Sequence, residues 1–126
     1  VDTDFDGDGK LEILTFSKFH GDTLAIWHEG QTRDRYEQVW CDPQKRSFLH
    51  ALWAADLNGE KCAVIGNRKD GRDLLLVRYV DGEYTVDVID HDLGPANCMV
   101  YRHDGSDYIV AAYRETDQLA LYKVVE

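Results

Sequence analysis

At 126 residues the chain has the length of one domain, and with 44% hydrophobic against 30% charged residues it carries too much apolar surface for a disordered segment. Twenty-four acidic side chains against fourteen Lys and Arg leave a net charge of -10, which repels a phosphate backbone and argues against nucleic acid as a partner. No apolar run approaches the roughly 20 residues of a membrane-spanning helix, and the start at Val1, followed at once by acids, suggests a clipped or excised piece with no visible signal peptide.

The first feature in chain order is Asp4-Phe5-Asp6-Gly7-Asp8-Gly9-Lys10-Leu11-Glu12, with carboxylates at relative positions one, three, five and nine. A tight turn of alternating Asp side chains aims several oxygens at one point, and Ca²⁺ needs six to eight oxygens at about 2.3–2.6 Å. Gly7 and Gly9 permit the positive φ angles of such a turn. The Lys10 carbonyl and Glu12 complete the expected ligand set of Asp4, Asp6, Asp8, Lys10 and Glu12, with Asp2 as an outer oxygen. An EF-hand is rejected, because its twelfth position must be a bidentate Glu and is here Thr15. The competing reading is a solvated acidic hairpin, disfavoured because four crowded carboxylates repel one another without a cation.

Beyond the loop, period-2 alternation and runs of β-branched and aromatic residues predict strands at Leu11–Phe16, Leu24–His28, Tyr36–Trp40, His50–Ala55, Lys61–Gly66, Asp73–Tyr79, Tyr84–Asp90, Ala96–Arg102, Asp107–Tyr113 and Gln118–Val124. No stretch reads as a helix. Leu14, Ile65 and Val110 superpose at spacings of 51 and then 45 residues. Each unit then has the strand and turn order of a propeller blade of about four antiparallel strands. The expected architecture is therefore all-β, with blade units at roughly 1–47, 48–95 and 96–126. In that register the first unit lacks its innermost strand and the third its outermost, about two and three-quarter blades in all. Other chains, or the remainder of a longer chain, are expected to complete the ring.

The run Asp4 to Glu12 followed by Ile13-Leu14 resembles the FG-GAP or VCBS-type repeat of integrin-α-like β-propellers, in which such a loop joins the first two strands of a blade. The resemblance implies structural calcium at Asp4, Asp6, Asp8, Lys10 and Glu12. It does not extend the metal to the later units. There Asp56-Leu57-Asn58-Gly59-Glu60 and His103-Asp104-Gly105-Ser106-Asp107 lack the later carboxylates.

On the blade reading, the loops Ser17–Thr23, Cys41–Phe48, Asn67–Asp73, His91–Asn97 and Tyr113–Gln118 share the face opposite the calcium turn. They hold seven basic and seven acidic side chains, so the rest of the chain carries the whole -10. Arg68, Arg72 and Arg114 can clamp a carboxylate or sugar hydroxyls there. With His50 and Trp53 on the strand nearest the axis, they form an expected site for a saccharide or other anionic ligand. The competing reading makes these arginines salt-bridged loop residues, Trp53 a core residue between blades and His50 a satisfied imidazole. His20, His28, His91 and His103 show no ligand spacing and are assigned nothing.

Neither GxSxG, HExxH, GxxxxGK[ST] nor GxGxxG occurs. The leading functional reading is thus a calcium-stabilised binding or interaction module. The alternatives are a sugar lyase or dehydratase with His50 as base, and a purely structural part of an assembly. Cys41, Cys62 and Cys98 form an odd set without CxxC, which leans to a reducing compartment, whereas the calcium loop suits a calcium-rich exterior. Cys62 and Cys98 lie in apolar stretches and read as buried small hydrophobes.

Overall fold

The computed structural model describes residues 1–17, 22–32 and 34–125, and Lys18 of the expected basic face lies outside them. Among the described residues the elements are β1 (Asp2–Thr3), β2 (Glu12–Ser17), β3 (Thr23–Glu29), β4 (Tyr36–Cys41), β5 (Leu49–Leu57), β6 (Glu60–Asn67), β7 (Leu74–Val80), β8 (Glu83–Asp90), β9 (Pro95–His103), β10 (Ser106–Tyr113) and β11 (Gln118–Lys123). All are strands, and no helix among these residues is long and apolar enough to cross a membrane.

The strands form three open sheets in which chain neighbours pair antiparallel: β1-β2-β3-β4, β5-β6-β7-β8 and β9-β10-β11. Three of the connections close on two residues of positive φ: Asn58-Gly59 (52° and 83°), Asp81-Gly82 (51° and 83°) and Asp104-Gly105 (47° and 77°). Such turns match the right-handed twist of a hairpin, and Asn-Gly and Asp-Gly tolerate them best. The first sheet corrects the sequence reading. It does have a strand before β2, the two-residue β1, paired through Thr3 with Glu12.

The second sheet lies between the other two, which explains the nearly unbroken apolar runs of its central strands β6 and β7. Ala63 and Ile65 of β6 and Leu75 and Val77 of β7 pack on Phe5, Leu14, Leu24 and Ile26 of the first sheet and its loop. On the opposite face, Cys62, Val64 and Leu74 pack on Cys98, Ile109, Ala111 and Tyr113 of the third sheet. Cys62 and Cys98 are buried thiols, each pushed up to about 12 by desolvation.

Gly66 lies at a close approach of the second sheet to Pro95 at the start of the third. A Cβ there would stand 2.2 Å from Pro95 Cγ and 3.1 Å from Ala51 Cβ. Gly66→Ala is therefore expected to cost about 1–3 kcal/mol through overpacking. Urea unfolding should show a lower midpoint at unchanged slope; an unaltered midpoint would mean that the Pro95 turn yields freely.

Candidate metal centre

The loop from β1 to β2 is anchored by Phe5, whose ring is buried in the core between the first two sheets. Its turn is built by side chains accepting from nearby backbone, the local competition that favours Asp outside regular structure. Asp4 Oδ1 and Oδ2 accept from the N–H groups of Gly7 (2.9 Å) and Gly9 (3.0 Å). Asp6 Oδ1 accepts from Asp8 N–H at 3.0 Å, and Asp8 Oδ1 from Lys10 N–H at 2.8 Å. Gly7 and Gly9 adopt φ of 75° and 88°, as this winding requires.

Asp6 and Asp8 thereby spend one oxygen each on the turn and leave Oδ2 for another partner. They gather with Glu12 and His28 so that one donor atom from each lies within 4.8 Å of all the others. His28 Nε2 stands 2.7 Å from Asp8 Oδ2, 3.4 Å from Glu12 Oε1 and 3.8 Å from Asp6 Oδ2. Two donors bound to one ion at about 2.0–2.6 Å are separated by at most about twice that length, so this donor set fits a single divalent cation.

Glu12 is fully buried. Its Oε2 accepts from Phe5 N–H at 2.6 Å, whereas Oε1 has no hydrogen-bond partner. Desolvation, the larger effect, raises the Glu12 pKa above the usual carboxylate range, against the lowering by the Phe5 hydrogen bond. Asp8 is shifted down, first by the Lys10 N–H and then by His28. His28 is shifted up, first by the Glu29 carbonyl and then by Asp8.

Of the expected ligands, Asp6, Asp8 and Glu12 meet at this point. Asp4 instead organises the turn with both oxygens and stands outside the group of four, and Lys10 offers its N–H to Asp8. His28 is the member of the group that the sequence reasoning leaves unassigned. The signal that finds it is register: Ile13 pairs with Trp27 in the antiparallel β2–β3 ladder, which sets Glu12 opposite His28 on one face. The corresponding turns of the later sheets hold basic side chains against their acids: Lys61 Nζ stands 2.8 Å from Asp56, and Arg102 stands 3.0 Å from Asp107.

The residues expected to bind a saccharide or anion lie in three places. Arg68 donates from Nε (2.9 Å) and from a terminal nitrogen (2.7 Å) to Glu115 Oε1, and its guanidinium covers the Phe48 ring at 5.1 Å. Arg72 and Glu115 both flank Gly94, so Arg72 belongs to the same cluster. Arg114 is exposed and lines a separate groove with Tyr113, Asp117 and Leu119. His50 is exposed, stacked on Phe48, with Nδ1 2.6 Å from the Ala96 carbonyl.

Trp53, three residues along β5, is 40% exposed. It borders a groove of about 500 Å³ with Tyr101, Arg102 and Asp107. Arg102 is thus the basic residue beside the indole, and the sequence reasoning does not single it out. No family model, curated protein or solved structure matches the chain.

Proposed function

We propose that the chain is a calcium-stabilised segment of a β-propeller that serves as an interaction module, its cation fastening the β1–β2 loop onto the first sheet. The observation that carries the reading is the convergence of Asp6, Asp8 and Glu12 around a buried carboxylate oxygen without a hydrogen-bond partner. A buried carboxylate oxygen without a hydrogen-bond donor is costly, and a divalent ion offsets that cost directly.

The propeller part rests on three successive antiparallel meanders stacked face on face, with β5 and β9 in corresponding places and β9 packed on β5 and β6. The outward face of the third sheet exposes Met99, Tyr101, Leu119 and Leu121, a surface suited to a further sheet from another chain or from a longer parent chain. The ligand surface of such a module is the groove beside Trp53, whose indole offers a stacking face for a sugar ring.

Calorimetry on chelator-stripped protein is expected to show one calcium site. Calcium at about a hundredfold above its dissociation constant should stabilise the fold by about 2.7 kcal/mol. Asp6→Ala should abolish both effects, and Asp56→Ala, at a turn already held by Lys61, should leave them intact. Absence of calcium heat together with an unchanged melting temperature would overturn the reading.

A further inference from the structure

We propose that His28 is itself a metal ligand, so that three carboxylates and one imidazole hold the ion and the site prefers a borderline divalent metal such as Mn²⁺ to Ca²⁺. The inference rests on the reading that the Asp4–Glu12 loop binds a cation, and it concerns which cation and through which atoms.

The first ground is the hydrogen bonding of the imidazole. His28 Nδ1 lies 2.7 Å from the Glu29 carbonyl oxygen, which can only accept, so the Nδ1 proton is placed there. In the neutral ring Nε2 then carries a lone pair, and that lone pair faces Asp8 Oδ2 at 2.7 Å, with Glu12 Oε1 and Asp6 Oδ2 next nearest. Ionised carboxylates have no proton to donate, so lone pair meets lone pair unless a positive ion stands between them. A proton on Nε2 is one such ion, and a metal is the other. Metal-bound imidazoles commonly give their second N–H to a backbone carbonyl, as His28 does here.

The second ground is independent of the ring. Glu12 Oε1 is buried, has no hydrogen-bond partner and stands on the same side of the β2–β3 ladder as His28. The third is access, because Asp6 and His28 border a groove of about 610 Å³ that also has Trp40, Tyr79 and Tyr84 on its walls. An ion can enter without unfolding the turn.

Donor type then decides the metal. Ca²⁺ is a hard ion that takes oxygen ligands. Imidazole nitrogen is favoured by first-row transition ions, and carboxylates suit Mn²⁺ among them. A set of three carboxylates and one imidazole therefore discriminates against calcium at the His28 position. The ion also spans a longer stretch of chain than the loop alone, joining β3 to the β1–β2 turn.

The test is titration of the chelator-stripped chain with Mn²⁺, reading free ion by electron paramagnetic resonance with Ca²⁺ as competitor, and recording spin-echo modulation from ¹⁴N on the bound ion. The expected result is Mn²⁺ binding at least about tenfold tighter than Ca²⁺, with imidazole ¹⁴N modulation. In His28→Gln the modulation should vanish and Mn²⁺ affinity fall by at least about tenfold, since losing a ligand costs no less than losing one of its hydrogen-bonding partners. Calcium affinity should hold, because the amide supplies an oxygen. Calcium binding tighter than manganese without ¹⁴N modulation would overturn this inference and leave the calcium reading standing. Equal loss of both ions in His28→Gln would also overturn it. Failure of both ions to bind the parent chain would overturn the cation reading as well.

Discussion

Arg46→Ala is expected to lower the free energy of unfolding by about 3–5 kcal/mol. Arg46 is 8% exposed, and its Nε donates to Asp42 Oδ2 at 2.7 Å, with a terminal nitrogen 3.9 Å from Asp73 Oδ2. Asp42 is buried too, and its other oxygen accepts from Gln44 N–H. Truncating the arginine leaves a carboxylate in the interior without its cation, which is much costlier than losing a surface ion pair.

The same segment ties into the β2–β3 connection, since Arg46 N–H donates to the Asp22 carbonyl and Asp42 N–H to that of Leu24. Loss of the pair should therefore loosen the contact between the first and second sheets, and urea unfolding measures it. The double variant Arg46→Met with Asp42→Leu removes both charges and should recover most of the loss. A single-variant loss below about 1 kcal/mol would place the pair in the class of solvent-screened bridges. Cation binding should be unaffected, because Glu12 and His28 stand at the other end of the β2–β3 ladder.

Glu12→Gln is expected to reverse its effect with conditions: more stable than the parent chain in chelator, less stable in saturating calcium. The amide oxygen can keep the bond from Phe5 N–H, and the variant removes a charge that burial opposes, as the raised Glu12 pKa reflects. Its NH₂ group can also donate to the His28 lone pair. What it lacks is the carboxylate that holds the ion. It should lose most of the roughly 2.7 kcal/mol that calcium supplies at a hundredfold excess over its dissociation constant. Thermal melts of both proteins in chelator and in calcium would show the order of melting temperatures inverting. A Glu12→Gln chain less stable under both conditions would instead mean that His28 alone compensates the buried charge.

The strands are legible in the amino-acid sequence because their signal is local. Alternation over six to nine residues needs no knowledge of the neighbouring chain, and each of the ten predicted strands has a counterpart in β2 to β11. The short β1 is not legible in this way. Two residues carry no period, and the segment is held by its pairing with β2 and by exchanged backbone bonds between Val1 and Leu14. Asp6, Asp8 and Glu12 can be grouped from the chain alone because they lie within one turn of each other. His28, sixteen residues beyond Glu12, joins them only through strand register, which depends on how two segments align and not on either one's composition.

Charge follows the same division. The all-β class, the acidic turn near Val1 and the concentration of basic residues in particular loops are readable from the amino acids alone, since composition and short-range spacing suffice for each. What those charges do depends on how the chain folds around them. Arg46 and Arg68 stand as equals in the sequence, yet one is enclosed with Asp42 and the other reaches across to Glu115 beside the third sheet. Asp4 and Asp6 likewise look alike, and backbone N–H groups engage both oxygens of the first but one of the second. The bonds of Arg46, Asp4 and Asp6 are local in the chain, and the Arg68–Glu115 bond joins segments 47 residues apart. What each charge is worth is set by the packing around it, because the free energy of a charge depends on the dielectric and donors that the folded neighbours place there.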